Sequence, residues 1–215
     1  TAWHNPGVAL VLAVSVLALI SVARKLGTRV GSAWSSSADS RLLAALRASG
    51  PYVAHIGLIV MLGAVTLNAN LQQEGRVTLK VGQTATVAGQ TVKVLDVTAA
   101  ELPDSTAFVA QVALLDRDGG TITVIGTEQD QITASGETHA EVGIHVRATE
   151  DIYIVLEAAD TSTKEVTLNV FTNPAVLWIW MGGLIMAIGG ILFALPKRLG
   201  APPMALETVH DQDRE

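Results

Sequence analysis

Three long stretches of apolar residues without charge constrain this chain more than any other feature. They run from about Asn5 to Ala23, from Tyr52 to Ala69 and from Ala175 to Leu195. At a helical rise of 1.5 Å per residue, each stretch reaches roughly 27–31 Å, the thickness of the hydrocarbon core of a bilayer. Core helices of soluble proteins rarely stay uncharged over about 18 residues. The sequence therefore predicts three transmembrane helices.

The charges around the first stretch indicate a retained helix. Arg24 and Lys25 follow it and no charge precedes it, whereas a secretory signal peptide has basic residues before its apolar run. We therefore predict six segments along the chain. These are transmembrane helix 1 over 1–24, a basic cytoplasmic loop over 25–49, transmembrane helix 2 over 50–70, an extracytoplasmic β domain over 71–172, transmembrane helix 3 over 173–196 and a cytoplasmic tail over 197–215.

The distribution of basic residues predicts the orientation of these helices. Cytoplasmic loops of membrane proteins carry an excess of Lys and Arg. The connection between the first two stretches has a single acid, Asp39, and Lys197 and Arg198 follow the third stretch. The basic residues of that connection are Arg24, Lys25, Arg29, Arg41 and Arg47. We expect both basic clusters in the cytoplasm, the N-terminus and the long middle region outside, and Trp3, Trp178 and Trp180 at the outer interface.

Small residues along the third helix predict a packing face. Gly183, Ala187, Gly190 and Ala194 follow one another at intervals of four, three and four residues, which places them on one side of a helix. Small side chains let another helix approach closely in lipid. Glycine is also simply common in spanning helices, which is the alternative reading.

The middle region, residues 71–170, reads as a series of short strands. Alternating runs at 76–81, 84–88 and 91–97 are separated by the pairs Gly82-Gln83 and Gly89-Gln90, a pattern typical of β-hairpins. Further strands are predicted at 106–115, 121–126, 140–146, 152–158 and 165–171. This number of short strands in about 100 residues predicts an all-β domain, either a small barrel or a sandwich.

Composition excludes several classes of function. The chain contains no cysteine, so it has no disulfide, thiolate metal site or CxxC redox centre of its own. Its net charge of −6 argues against binding to nucleic acid. Residues 71–170 hold six basic and fifteen acidic side chains. Such a surface either attracts a basic protein partner or only keeps the domain soluble.

One of the five histidines stands out because it lies inside a predicted transmembrane helix. His55 is one turn into the second apolar stretch, where an ionisable side chain is costly and usually faces a partner or a cofactor. Neutral imidazole is an axial ligand of haem iron. The alternative is a histidine that reaches toward the interface or bonds to a neighbouring helix.

The other histidines do not form a second ligand for the same site. His139 and His145 lie in the β region, about 20 Å apart if their strand is unbroken, too far to bind one metal ion. His4 lies at the opposite face of the membrane from His55, and His210 lies in the tail. A haem at His55 therefore needs its second ligand from another chain, or an open position.

Several short segments resemble the CcmF-type cytochrome c haem lyase proteins. Residues 50–57 (GPYVAHIG) are similar to the family's GxYxxHxG segment, and 77–82 (VTLKVG) resemble the start of its extracytoplasmic domain. Residues 138–144 (THAEVGI) and 151–156 (DIYIVL) resemble its T-x-A-x-I and D-x-Y-V-x-L stretches. Residues 174–190, which include Trp178 and Trp180, are similar to its last span. The resemblance covers roughly residues 45–198, in the family's order.

The resemblance implies a role in cytochrome c biogenesis, in a bacterial cytoplasmic (inner) membrane with the β domain on its outer side. It implies that His55 is an axial ligand of a membrane-embedded haem b. It also implies that the protein to which haem is attached is apocytochrome c. The family's Trp-rich segment that holds the substrate haem is not present here, so the resemblance also implies another membrane subunit that supplies it. On this reading the chain is a component of a haem lyase complex and is not catalytic alone.

Two other classes of function remain open from the sequence. The chain could be a non-catalytic structural or assembly subunit of a membrane complex with no bound haem, or a receptor with an outer β domain. It could also be the product of a split gene, a fragment, or a relative used elsewhere.

Overall fold

Three helices and nine strands make up the part of the chain that the computed structural model describes, residues 6–34, 41–133 and 135–195. The helices are α1 (Pro6–Trp34), α2 (Arg41–Leu71) and α3 (Val176–Ala194). The strands are β1 (Gln73–Lys80), β2 (Thr84–Val87), β3 (Gln90–Glu101), β4 (Ser105–Leu115), β5 (Thr121–Ile132), β6 (Thr138–Glu141), β7 (Gly143–Val146), β8 (Glu150–Asp160) and β9 (Glu165–Pro174).

All three helices are long and apolar enough to cross a membrane by length and composition. They differ from the prediction at their ends, because α1 continues to Trp34 and α2 already begins at Arg41. The segment 25–49, predicted as a loop, is therefore helical at both ends. Arg, Lys, Leu and Ala are good helix formers, so the helical backbone continues past the point where the apolar run stops. Trp3, Lys197 and Arg198 lie outside the described residues.

The helices α2 and α3 pack through glycines that let their backbones approach closely. A Cβ added at Gly182 would lie 2.6 Å from the backbone nitrogen of Met61, and one at Gly189 would lie 2.7 Å from Cα of Ala54. From the other side, a Cβ at Gly57 would lie 2.5 Å from the carbonyl oxygen of Gly182. Only glycine fits such contacts, which resemble the close helix crossings of membrane proteins.

The small-residue face predicted on α3 does not make the contact with α2, so its packing against another helix stays a prediction. A Cβ at Gly183 or Gly190 would meet nothing within 4 Å, and Ala187 and Ala194 are exposed. The contact uses the neighbouring glycines, one residue earlier along the helix. The stripe predicted from spacing is left without a partner in the described part of the chain.

The strands form two antiparallel sheets packed face to face. One sheet has the order β1-β9-β8-β7 and the other has the order β2-β3-β4-β5-β6. Their inner faces share one apolar core, whose fully buried members include Val92, Val112, Ile154, Leu168 and Val170. The predicted fold class is confirmed, and of the two forms left open, barrel or sandwich, the domain is a sandwich.

The chain changes sheets at a point where the sequence predicts one continuous strand. Residues 140–146 are divided at Val142 between β6, which pairs with β5, and β7, which pairs with β8. Gly143 permits this change, because a Cβ there would lie 2.5 Å from the carbonyl oxygen of Gly126. The single strand predicted over 140–146 is therefore wrong, and His139 and His145 lie in different sheets.

The sandwich joins the helices at one end. β1 begins two residues after α2 ends, and β9 ends at Pro174, directly before the turn into α3. At that junction the amide of Ala175 donates to the carbonyl of Thr149 at 2.9 Å, and Nε1 of Trp178 donates to the carbonyl of Ala148 at 3.0 Å. The turn between β7 and β8 therefore rests on the start of α3.

Candidate functional site

His55 lies on the surface of α2, within one of the three helices that can cross a membrane. Its side chain is exposed in the chain by itself. It follows Arg47 by eight residues, which places it about 12 Å further along the helix axis. If α2 spans a membrane, an imidazole at this depth is costly to expose to lipid tails. We therefore expect this face of α2 to contact a partner or a cofactor.

A hydrogen bond within the helix places a proton on Nδ1 of the His55 ring. Nδ1 lies 2.6 Å from the carbonyl oxygen of Pro51, one turn earlier. A carbonyl oxygen only accepts, so Nδ1 carries a proton, and in the neutral ring Nε2 then has the free lone pair. Metal-binding histidines use this arrangement, in which the other ring nitrogen donates to a carbonyl and holds the ring in place. The Pro51 carbonyl was not predicted as part of the site, although its spacing of four residues from His55 indicates it.

Apolar side chains continue the exposed face of α2 beyond His55. Leu58, Leu62 and Val65 are 38%, 52% and 44% exposed, and Ala69 follows them. Their spacing from His55 repeats every three to four residues, so they form one stripe along the helix. We call these five residues the His55 stripe. It points away from the glycines that contact α3.

Within residues 6–34, 41–133 and 135–195, no histidine other than His55 lies on α1, α2 or α3. No group of three or more His, Asp or Glu side chains is found there that could hold a metal ion. His139 and His145 both belong to the sandwich, in β6 and β7. His4 and His210 lie outside the described residues. Within the described part, His55 offers one nitrogen to a cofactor and no pair.

The sandwich carries acidic side chains on adjacent strands. Glu128 of β5 and Glu141 of β6 are direct cross-strand partners, and Asp130 pairs with His139 in the same ladder. Like charges directly opposite each other destabilise a strand pair. Glu128 and Glu141 also line a shallow depression of about 240 Å³ beside Thr127. The surface formed by β5 and β6, at the edge of the sheet, therefore carries negative charge.

Comparison with known proteins identifies the sandwich. Residues 70–174 match the family described as the CcmF C-terminal β-sandwich. The cytochrome c-type biogenesis protein CycK of Bradyrhizobium diazoefficiens is 30% identical over 158 residues, 73% of this chain and 24% of the relative. CcmF of Escherichia coli strain K12, also a cytochrome c-type biogenesis protein, is 29% identical over 149 residues, 69% of this chain and 23% of the relative.

A solved structure of a CcmF cytochrome c haem lyase has the same fold. It superposes with a TM-score of 0.64 over 90% of this chain at 17% sequence identity, and the chain covers 34% of it. The resemblance to the C-terminal part of CcmF-type proteins is thereby confirmed. The chain spans about a quarter of the length of the curated relatives it matches.

Proposed function

We propose that this chain is a subunit of a cytochrome c maturation complex in which Nε2 of His55 is one axial ligand of a membrane-embedded haem b. The observation that carries the proposal is the orientation of the His55 ring. Nδ1 donates to the Pro51 carbonyl, and Nε2 is free on the exposed face of a helix that can span a membrane. These residues fit a haem as a single axial ligand. When bound there, haem supplies one-electron redox chemistry, and the part of this chain is to orient the imidazole.

The second axial ligand comes from another membrane subunit, which also supplies the Trp-rich half that handles the substrate haem. Two exposed helix faces support this proposal, the His55 stripe on α2 and the small-residue stripe of Gly183 and Gly190 on α3. Relatives named as cytochrome c biogenesis proteins are about four times as long as the matched region. The remainder of such a protein would cover both faces.

The sandwich is proposed to lie on the outer side of the bacterial cytoplasmic membrane and to dock apocytochrome c for covalent haem attachment. The basic residues of α1 and α2 would then lie in the cytoplasm, as the positive-inside rule predicts. The opposed carboxylates of Glu128 and Glu141 support docking, because a basic partner would relieve their repulsion.

Absorption spectroscopy of the complex isolated from its native membrane tests the role of His55. We expect a bis-histidine b-type haem spectrum in the wild type, its loss in His55→Ala, and a low-spin spectrum in His55→Met, because thioether sulfur also ligates haem iron. His145→Ala is the matched control, since that histidine lies in the sandwich, and it should leave the spectrum unchanged. An unchanged spectrum in His55→Ala, with the complex intact, would instead support a structural subunit without haem.

A further inference from the structure

A cleft opens between the two sheets at the end of the sandwich that joins the helices. Its volume is about 430 Å³. It is lined by the start of β1, the end of β9 and the three turns that connect β2 to β3, β4 to β5 and β7 to β8. Its lining includes Gln90, Asp116, Arg117, Ile122, Arg147 and Glu150.

The two arginines of the cleft have unused hydrogen-bond donors. Arg117 is exposed and makes no ion pair or hydrogen bond through its side chain within the described ranges. Nη1 of Arg147 lies 3.4 Å from Oε1 of Glu150, whereas its Nη2 is buried and has no partner among those residues. A buried guanidinium nitrogen without a partner is costly, so Arg147 would gain a hydrogen bond if its partly exposed side chain turned Nη2 toward an acceptor in the cleft.

The two acidic side chains of the cleft are already engaged. Oδ1 of Asp116 accepts the amides of Asp118 and Gly120, at 2.9 and 2.7 Å, and so closes its own turn. Oε1 of Glu150 accepts Nε2 of Gln90 at 3.0 Å as well as the long contact from Arg147. The formal charges of the two arginines and the two acidic side chains add up to zero. The hydrogen-bond donors that remain free, however, belong to the cationic arginines.

The cleft lies next to the helices that can enter the membrane. Arg147 begins the turn whose Ala148 carbonyl accepts Nε1 of Trp178, in the first turn of α3. Indole rings of spanning helices lie at the level of the lipid headgroups. Ile122, which is 45% exposed, adds an apolar side chain to the lining of the cleft. With α3 in a membrane, the cleft would therefore lie near the level of the lipid phosphates.

We infer that this cleft binds a phosphate group through Arg117 and Arg147, presented by an anionic phospholipid headgroup. Arginine matches the geometry of phosphate oxygens with two parallel donors, which favours phosphate over a spherical anion. Free phosphate has the same chemistry and is the alternative source. The inference does not depend on haem binding at His55, because it concerns a different part of the chain.

Isothermal titration of the purified chain in detergent tests the inference. The probes are short-chain phosphatidylglycerol and, separately, inorganic phosphate. We expect phosphatidylglycerol to bind, and Arg117→Gln to weaken binding about tenfold through loss of a charge-assisted hydrogen bond. Arg76→Gln is the matched control, because Arg76 is also an arginine of the sandwich but lies on β1, paired with Glu157 outside the cleft. Thermal unfolding of each variant verifies that it is folded.

Each outcome decides the matter. Tighter binding of phosphatidylglycerol than of phosphate, with both weakened by Arg117→Gln, supports a lipid site. Equal binding of the two probes supports the phosphate site with a free anion as its source. Absence of binding, or equal effects of Arg117→Gln and Arg76→Gln, overturns the inference. So does phosphatidylglycerol binding that is retained unchanged in Arg117→Gln. If Arg117→Gln does not fold, Arg147→Lys serves instead and should weaken binding by losing the paired donors.

Discussion

At the scale of single residues, the chemistry of the candidate site depends on two side chains one helical turn apart. Pro51 has no amide hydrogen but keeps its carbonyl, and that carbonyl accepts Nδ1 of His55. The contact selects one tautomer and directs Nε2 outward. Sequence alone predicted the position of His55 as a ligand candidate. It did not predict the tautomer, because that depends on the rotamer the ring adopts against the preceding turn.

A carboxylate at the far end of the sandwich gives a pH-dependent prediction. Asp160 accepts Oγ of Ser162 at 2.6 Å and the amides of Ser162 and Thr163. The side-chain bond from Ser162 and these amides lower the pKa of Asp160 from its usual 3.8 to about 2. Because the folded pKa is below the unfolded one, the stabilising contribution is fully present above about pH 4. It is lost as the pH falls through about 2.

We expect Ser162→Ala to raise the pKa of Asp160, since it removes the largest cause of the shift. Thr161→Ala, in the same turn but without a bond to this carboxylate, should leave that pKa unchanged. An NMR titration of the Asp160 carboxyl carbon measures both. Equal pKa values in wild type and Ser162→Ala would show that the hydroxyl does not hold the carboxylate.

At the scale of elements, adjacent glycines decide how α3 packs. The helix contains two Gly-Gly pairs, at 182–183 and 189–190, and only the first member of each contacts α2. The spacing predicted a small-residue face but selected the second members. The two faces differ by one residue in register, and the sequence of α3 alone cannot distinguish them. The positions of Gly57 and Ala54 on α2 determine which of the two faces of α3 makes the contact.

Alanine at the two members of one pair should have opposite effects. Gly182→Ala would place a Cβ 2.6 Å from the nitrogen of Met61, and we expect it to destabilise the chain by about 1–3 kcal/mol. Gly183→Ala meets nothing within 4 Å and should be neutral or stabilise the helix by about 0.5–1 kcal/mol. Thermal unfolding of the purified chain in detergent compares them. Similar melting temperatures for both variants would contradict the observed register.

The bounds of the strands were predictable where a local turn separates them. They were less predictable where the chain passes from one sheet to the other. Gly82 and Gly89 adopt φ angles of +87° and +76° in turns at the predicted places. The predicted hairpin at Gly89 joins β2 to β3, whereas the one at Gly82 is wrong, because β1 pairs with β9 in the other sheet. The division of 140–146 between two sheets has no comparable local signal, because Val142 suits either strand. It depends on the distant approach of Gly126 to Gly143.

At the scale of the whole molecule, the start of α3 connects the sandwich to the helices. Trp178 and Trp180 are both exposed, by 50% and 74%, but only Trp178 has a side-chain hydrogen bond to the described part of the sandwich. The connection positions the end of the sandwich relative to the helix that would anchor it. The sequence predicted interfacial tryptophans, but it could not predict which indole would bind the turn after β7.

Trp178→Phe should loosen this connection while it keeps an aromatic ring at the interface. Loss of one hydrogen bond costs about 0.5–1.5 kcal/mol, so hydrogen exchange in the turn 147–150 should accelerate several-fold. Trp180→Phe is the control and should leave exchange in that turn unchanged. Equal exchange in both variants would show that the indole bond does not hold the sandwich in place.

A density map of the native assembly tests the central claim most directly, because it shows what lies beside His55 when the partner subunit is present. We expect iron bonded to Nε2 of His55, Nδ1 still facing the Pro51 carbonyl, and a second ligand supplied by another chain. A ring surrounded only by side chains would contradict this claim, and so would iron held without His55.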